Sequence, residues 1–503
     1  FGEAKRGRNK NDMLEYTKES RSCAKRCFME DQKLESILNL SLEATKEERR
    51  KSPILESGYN EADNRWDVIV KYAGDISQLV KDGIIVATLY NEYAVLNVPE
   101  TEIEQLTDYP QITFVEKPKP LYFAAEAAKQ ASCISPVVRQ GLTGKGCLVG
   151  VIDSGIDYLH SVFRNQDGST RIVSIWDQTV EGNPPEGYLR GTEYTREQIQ
   201  GALDAGGRQA AYEIVNSKDI SGHGTGVAGI AAGSGVAEGW NQGVAPESEL
   251  VIVKLGTPEA ENLPRTTELM MGIDYCIRKS VEMNMPIAIN LSYGNTYGSH
   301  DGTSLLETYI DSVTGVGRNC ICIGTGNEGA SGGHTSGRVV DGQPEMVELA
   351  VSGYQTGMSV QLWKSYVDEF EIGIVTPGGV RLGPLQKVLG AARLRTAQTE
   401  ILFYYGEPAP YSLSQEIFFS FLPVGNYIEE GVWTFEIHPR RVVQGNYQMW
   451  LPSQSALNIG TRFLRPTPDH TLTIPSTAGK AITVGAYDIG YDSYADFSGR
   501  GYY

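Results

Sequence analysis

The sequence has little of what marks membrane, secreted or nucleic-acid-binding proteins. Its 503 residues contain no apolar run near the roughly 18 residues of a membrane-spanning helix. Residues 1–35 lack the apolar core of a secretory signal peptide. The net charge of −18 leaves no general basic surface for phosphates. We therefore expect no membrane span and no nucleic-acid partner.

Cysteine is scarce and poorly spaced for metal binding. Seven cysteines cannot all pair, and most lie in or beside apolar stretches, so free buried thiols are favoured over disulfides. Neither the Cys23/Cys27 pair nor the Cys320/Cys322 pair has the spacing and second ligand pair of a zinc site. The sequence also lacks a compact Asp/Asn-rich calcium loop. We predict no metal and no cofactor.

What is present is the composition of a folded, multidomain protein. Hydrophobic residues make up 41% and charged residues 21%, which excludes a disordered chain. At roughly 150 residues per domain, the length indicates about three domains. Residues 1–51 carry a net charge of +3 and the remainder −21, so a basic leader precedes an acidic body.

Three styles of hydrophobic pattern follow one another. Residues 64–118 predict a β-α-β-β-α-β unit, a split βαβ arrangement whose second helix runs from Pro99 to Leu106. Between 146 and 324, apolar strands alternate with helices, which predicts a doubly wound parallel sheet. Residues 340–470 form short alternating runs separated by turn residues, which predict an inserted antiparallel β-sandwich, and from 471 the α/β pattern returns.

Three short segments carry candidate chemistry. Asp153 ends a buried strand, His223 opens a helix of small residues, and Asn327 lies in a Gly-rich loop. A carboxylate at a strand end can accept the Nδ1 proton of a histidine, fix its tautomer and stabilise the imidazolium. An asparagine amide can face a developing oxyanion. Asp157 could compete as the acid, but Asp153 ends the apolar run directly.

These segments resemble those of a subtilisin-like serine protease. The resemblance implies that Asp153 orients the base, that His223 is the general base and that Asn327 completes the oxyanion hole. It also implies a substrate-binding strand that pairs with an extended peptide, and this strand carries Ser292, Tyr293 and Gly294. The opposite wall of the S1 pocket is implied to consist of Gly324, Thr325 and Gly326.

A narrower resemblance points to the clostridial Csp-type germination proteases. It rests on the segments 175–179 and 297–304 and on the inserted sandwich, which it identifies as a jelly roll. It implies cleavage of a cortex-lytic zymogen during spore germination and a spore-associated or extracytoplasmic bacterial location. The N-terminal unit resembles the ferredoxin-like subtilase prodomain, an intramolecular inhibitor and chaperone. The partners implied are this prodomain and a protein or peptide substrate.

The expected organisation has five parts. They are a leader or linker at 1–63, the prodomain at 64–123, the first part of the catalytic domain at 124–339, the inserted β-sandwich at 340–470, and an incomplete second part of the catalytic domain at 471–503.

The family's nucleophilic serine segment, Gly-Thr-Ser-(Met/Val/Phe)-Ala-x-Pro, has no counterpart in the sequence. Gly302-Thr303-Ser304 precedes Asn327, whereas the family's serine follows the asparagine. Ser304 instead has the pattern of a helix N-cap, with Glu307 closing a capping box. Residues 484–501 resemble the stretch just upstream of the family's serine, so we expect a fragment, a nicked chain or a chain interrupted before it, with a truncated pseudoenzyme as the alternative.

Two functions remain open at the sequence level. The first is an active serine endopeptidase that works with a further segment or polypeptide. The second is a non-catalytic relative that binds a peptide or partner. The presence of both Asp153 and His223 favours the enzyme. A nucleotide-binding Rossmann protein is disfavoured because the sequence has no Gly-x-Gly-x-x-Gly segment with an acid about 20 residues on.

Overall fold

The computed structural model divides the chain into two units, Phe1–Phe123 and Ala124–Tyr503. The residues that the structure describes are 33–34, 38, 41–42, 46, 58–61, 63–89, 92–116, 137–138, 140–188, 190–235, 242–256, 264–385, 390–406 and 413–501. The predicted leader therefore lies largely outside the described residues.

The first unit is built on one antiparallel sheet in which strand β2 is central. Strand β2 pairs with β4 on one side and with β1 and β5 on the other, and β3 lies outside β4. Its elements are β1 (Tyr59–Asn60), β2 (Arg65–Tyr72), α1 (Ser77–Lys81), β3 (Ile85–Leu89), β4 (Tyr93–Pro99) and β5 (Ile112–Glu116). The order β5-β2-β4-β3 is that of a split βαβ unit.

The core of this unit follows the alternation of β2. Trp66, Val68 and Val70 point inward, and Leu34 and Leu38, from upstream of the predicted 64–123 unit, lie in the same core. The prediction of a second α-helix from Pro99 to Leu106 is wrong. This segment forms two 3-10 helices, Glu100–Glu102 and Glu104–Asp108. The 3-10 form is common in short connectors, and this segment joins β4 to β5.

The second unit contains a seven-stranded sheet in the order β23-β11-β10-β6-β9-β7-β8, parallel except at β7–β8. Its strands are β6 (Leu148–Asp153), β7 (Ile172–Asp177), β8 (Thr192–Thr195), β9 (Glu249–Lys254), β10 (Ile287–Leu291), β11 (Asn319–Gly324) and β23 (Ile482–Val484). Its helices are α2 (Arg196–Asp204), α3 (Arg208–Ile214), α4 (His223–Ala232), α5 (Thr266–Glu282) and α6 (Leu305–Val313).

Both faces of this sheet are covered by helices. Leu148 and Ile152 of β6 pack into a core with residues of α5 and α6. Val149 and Val151, one residue out of phase, pack into a second core with residues of α2, α3 and α4. Because successive strand residues point to opposite faces, every residue of β6 is buried. The predicted doubly wound sheet is confirmed.

Between β11 and β23 the chain forms two antiparallel sheets with one common core. We call these two sheets the β-region. The six-stranded sheet has the order β12-β21-β14-β19-β18-β17 and the five-stranded sheet β16-β15-β20-β13-β22. The strands are β12 (His334–Arg338), β13 (Glu345–Val351), β14 (Met358–Ser365), β15 (Glu369–Val375), β16 (Arg381–Leu385), β17 (Gly390–Arg395), β18 (Thr399–Tyr405), β19 (Ser414–Pro423), β20 (Gly431–Arg441), β21 (Asn446–Trp450) and β22 (Arg462–Phe463).

The chain then returns to the parallel sheet at β23, which pairs with β11. It ends in a short hairpin, β24 (Tyr487–Asp488) and β25 (Ser493–Tyr494). A buried amide ties the β-region to the loop after β10: Gly298 N donates to Gln361 Oε1, and Gln361 Nε2 donates to Thr296 O, both at 3.0 Å. None of the helices in the described ranges is long and apolar enough to cross a membrane.

Candidate active site

The candidate residues meet at one edge of the parallel sheet. Strands β6, β10 and β11 are neighbours, and Leu291 of β10 lies opposite both Ile152 of β6 and Ile323 of β11. All three strands therefore end at the same level. The segments that follow them carry Asp153, residues 292–294 and residues 324–327. Ligands of open α/β sheets bind outside the carboxyl ends of the strands, so this edge is the place to seek a site.

Asp153 and His223 form the central contact of the site. The Asp153 Oδ1 atom lies 2.7 Å from His223 Nδ1 and also accepts a hydrogen bond from Ser154 N at 2.7 Å. The Asp153 side chain is 1% exposed, whereas that of His223 is 59% exposed. A buried carboxylate thus holds one nitrogen of an imidazole whose ring opens to solvent. Asp157 instead pairs with Arg208, at 2.7 Å.

A second carboxylate, which the sequence analysis missed, organises the start of α4. Asp219 accepts hydrogen bonds from Ser154 Oγ and Gly222 N through Oδ1, and from Thr225 N and Oγ1 through Oδ2, at 2.7–3.0 Å. Burial alone would raise the pKa of Asp219, but these hydrogen bonds outweigh it and hold the pKa below the ordinary aspartate value. Asp219 thereby fixes the helix turn that presents His223.

Close packing of α4 on β6 depends on Gly224. A Cβ atom at this position would clash with the carbonyl oxygen of Gly155 and lie 3.1 Å from the Cβ of Asp153. Gly224 N also donates to Ser154 Oγ at 2.9 Å. The small residue after His223 therefore lets the helix backbone approach the strand that carries the acid, which brings the imidazole within reach of it.

The first candidate wall is the segment after β10. Ser292 is exposed and its hydroxyl accepts a hydrogen bond from Asn290 Nδ2 at 2.8 Å. Tyr293 is partly buried and donates its hydroxyl proton to Gly256 O at 2.6 Å. Burial and the nearby negative charges of Asp153 and Asp219 raise the pKa of Tyr293, so this phenol stays neutral.

The second candidate wall follows β11, and Thr473 lies against both walls. Thr325 N donates to Val484 O, and Thr473 N donates to Thr325 O, both at 3.0 Å. A Cβ added to Gly294 or to Gly326 would clash with the Thr473 side chain, and Gly326 has a φ of +85°. The structure thus adds Thr473, which the sequence analysis did not single out, to the residues between the two walls. Gly324 has open space around it.

Asn327 is exposed on the loop that continues from β11. This loop is fixed on either side of the asparagine: Gly329 N donates to Phe497 O at 2.9 Å, and the Glu328 carboxylate accepts from Gln454 N at 3.2 Å. Hydrogen bonds to the neighbours of Asn327 hold its backbone at the sheet edge while its amide remains accessible.

Ser304 has a structural role. It is the N-cap of α6: its hydroxyl accepts from Glu307 N at 3.3 Å and its backbone N donates to the Glu307 carboxylate at 3.1 Å. The predicted capping box is confirmed.

The chemistry of the site involves acids, amides and imidazole. Across the described ranges, no group of three or more His, Cys, Asp and Glu side chains is arranged to hold a metal ion. The cysteines that the structure describes, Cys147, Cys276, Cys320 and Cys322, are free thiols.

Sequence comparisons agree with the class of site that this geometry defines. Residues 144–406 match the subtilase family, and residues 32–119 match the Csp protease B prodomain. The chain therefore belongs to the subtilase family of serine proteases, and it carries a Csp-type prodomain.

The solved structure of the Clostridium perfringens CspB protease superposes with a TM-score of 0.68 at 33% identity, covering 75% of this chain and 76% of that one. Subtilisin E of Bacillus subtilis is 25% identical over 269 residues, covering 53% of this chain and 55% of the relative. The major intracellular serine protease of Bacillus subtilis is 31% identical over 192 residues, covering 38% and 46%. The chain spans about half the length of the curated relatives it matches.

Proposed function

We propose that the protein is a serine endopeptidase. His223 acts as the general base, and Asp153 orients the imidazole of His223. The observation that carries this proposal is the 2.7 Å contact between Asp153 Oδ1 and His223 Nδ1 at the carboxyl edge of the sheet. A carboxylate in that position selects the tautomer that leaves Nε2 unprotonated and able to take a proton.

The reaction needs a serine hydroxyl, which we propose comes from residues outside these 503. As its oxygen attacks the carbonyl carbon of the scissile peptide bond, the proton passes to His223 Nε2, and Asp153 stabilises the resulting imidazolium. The amide of Asn327 donates to the oxyanion of the tetrahedral intermediate. His223 then gives its proton to the leaving amine, and water hydrolyses the acyl-enzyme in a second round.

The walls suggest how a substrate is held. We propose that an extended peptide pairs with Ser292, Tyr293 and Gly294 and that its side chain enters between this segment and Gly324, Thr325 and Gly326. The partial burial of Tyr293 and its bond to Gly256 O support a rigid first wall. Small residues on both walls leave room for the peptide backbone.

The finer assignments are part of the same proposal. The similarity to the CspB protease and to its prodomain supports cleavage of a spore cortex-lytic zymogen, with the N-terminal unit as an intramolecular inhibitor. The β-region, with its two antiparallel sheets and common core, supports an inserted jelly roll. We retain the five-part domain division as a proposal.

The test is hydrolysis of fluorogenic peptides by a gene product that contains these 503 residues and a serine segment. We expect His223→Ala to abolish turnover, and His160→Ala to retain it, because His160 caps a 3-10 helix. Activity that survives His223→Ala would contradict the proposal. Saturable peptide binding without turnover in the unsubstituted protein would favour the alternative, a catalytically inactive subtilase relative with a binding or regulatory role.

A further inference from the structure

The β-region carries a groove that the proposed protease chemistry does not use. It has a volume of about 460 Å³, within the range of small-molecule sites. Trp363 of β14 and Gln448 of β21 lie opposite each other in the six-stranded sheet. Leu362 and Met449, their neighbours in sequence, point into the common core. Trp363 and Gln448 therefore face outward, and both line the groove.

The side chains that line the groove offer hydrogen bonds without charge. Beside Trp363 and Gln448, the groove is lined by Tyr366, Gln444 and Asn446, and no carboxylate is among its lining residues in the part of the chain that the structure describes. The one lining cation is Lys364, which is 3% exposed. Its ammonium donates to Ser365 O, Asp368 O and Gln415 Oε1 at 2.6–3.1 Å. The positive charge is therefore bound by groups of the protein interior and is not presented to the groove.

The indole of Trp363 indicates what is missing from the groove. Its Nε1 atom is buried and has no hydrogen-bond partner among the described residues. A buried N–H without an acceptor costs free energy, and tryptophan normally finds one. The rest of the residue is only partly buried and lines the groove, so a ligand that covers the ring would bury its apolar face. The amide of Gln448 is already held by His334 Nε2 at 2.7 Å, which fixes its orientation.

We propose that this groove binds a neutral saccharide. Sugar rings combine an apolar face, which stacks on aromatic rings, with hydroxyls that both donate and accept, which suits Trp363, Tyr366 and the three amides. A charged ligand would find no counter-charge, and a wholly apolar one would leave the exposed amides of Gln444 and Asn446 without partners. The proposal goes beyond the peptidase function and does not depend on it.

The test is titration of the intact protein with two neutral oligosaccharides, cellotetraose and the tetramer of N-acetylglucosamine, followed by tryptophan fluorescence and calorimetry. We expect saturable binding of at least one of them. Trp363→Ala should weaken it by about tenfold or more, and Trp363→Phe, which keeps the ring face but removes the N–H, by less. Asn446→Ala, an exposed change that spares the core, should also weaken binding.

Tyr354→Ala is the matched control. Tyr354 is an aromatic residue of the same region that is 77% exposed and does not line the groove, so binding should persist. Unchanged thermal unfolding of each variant would separate loss of the site from loss of the fold. Absence of binding to both sugars up to millimolar concentration, or binding that Trp363→Ala and Asn446→Ala leave unaltered, would overturn the proposal.

Discussion

At Asp153, a substitution can keep the shape of the side chain while it removes the negative charge that faces His223. Asn in its place would preserve the shape of the side chain, but its amide NH₂ would favour the tautomer of His223 that cannot accept the serine proton. We expect Asp153→Asn to reduce kcat for peptide hydrolysis by about 10⁴-fold. Steady-state kinetics of the serine-containing gene product would measure this.

Asp157→Asn is the natural control, because Asp157 lies four residues away and pairs with the largely exposed Arg208. Loss of such a surface pair costs less than about 1 kcal/mol. Its kcat should equal that of the unsubstituted protein, and a comparable loss in both variants would assign the effect to the fold.

Asp219 makes the stability of the fold depend on pH in the acidic range. Its pKa in the folded protein lies below the ordinary value of 3.8, so the native state binds fewer protons than the unfolded chain in that range. The stabilisation is complete above about pH 4 and is lost as the pH falls through the folded pKa. We expect Asp219→Asn to lower Tm at pH 7 and the deficit to shrink in acid. A deficit that is constant from pH 7 to pH 2.5 would contradict this role.

The sequence allowed Asp153, His223 and Asn327 to be singled out because each lies in a short local motif at an element boundary. Asp219 and Thr473 were missed because their roles depend on contacts far along the chain. Asp219 accepts from Ser154, 65 residues away, and Thr473 hydrogen bonds to Thr325, 148 residues away. Such contacts follow from the sheet order, which no local pattern encodes.

At the scale of elements, the packing of α4 on β6 makes a sharp prediction. Gly224→Ala would drive a methyl group into the backbone of Gly155, and overpacking of this kind costs about 1–3 kcal/mol. We also expect peptidase activity to fall, since the helix carries His223. Urea unfolding and peptide hydrolysis would measure the two effects.

Gly226→Ala is the matched change on the same helix. A Cβ there meets no atom within 4 Å, and alanine is the better helix former by about 0.5–1 kcal/mol. Stability should rise slightly and activity should persist. Equal destabilisation by both changes would contradict the role of Gly224 in the approach of α4 to β6.

Elements marked by an unbroken apolar run or by a run of small residues were the easiest to predict. The apolar run of β6 and the small-residue helix α4 lie where the pattern put them. The 3-10 helices after Pro99 differ from prediction because acidic first-turn residues and apolar spacing are the same for both helix types. The pairing of strands across two sheets in the β-region depends on contacts that alternation alone cannot specify.

At the scale of the whole molecule, a group of buried histidines joins the β-region to the rest of its unit. His334 of β12 and His300 after β10 both pack on Trp450, with ring centroids 4.9 and 4.3 Å away. Burial lowers the pKa of His334 to about 4, and nearby His470 and His300 contribute to the same direction. Its ring contacts Gln448 Oε1 and Thr467 O.

The low pKa of His334 predicts that the folded protein loses stability in mild acid. A folded pKa below the unfolded value of about 6.5 means that stability is complete above pH 6.5 and falls as the pH drops towards 4, by about 3 kcal/mol for His334. Thermal unfolding from pH 8 to pH 4 should show this fall, and His334→Asn should flatten it. The same slope in both proteins would contradict the role of His334.

The organisation of the whole chain was only partly accessible to sequence analysis. A change from helical to alternating periodicity indicated the β-region, and β23 returns to the parallel sheet beside β11 as the later α/β pattern suggested. Leu34 and Leu38, by contrast, join the core of the first unit from a polar, charge-mixed stretch that sequence analysis assigned to the leader, although residues 35–42 have helical apolar spacing.

The most direct test of the central claim is labelling with a fluorophosphonate probe, which reacts with activated serines, followed by mass spectrometry of the labelled peptide. In a gene product that carries a serine segment beyond residue 503, we expect one labelled serine in that segment and no labelling after His223→Ala. Labelling at Ser304, labelling that survives His223→Ala, or no labelling would contradict the assignment of Asp153 and His223 to a serine protease.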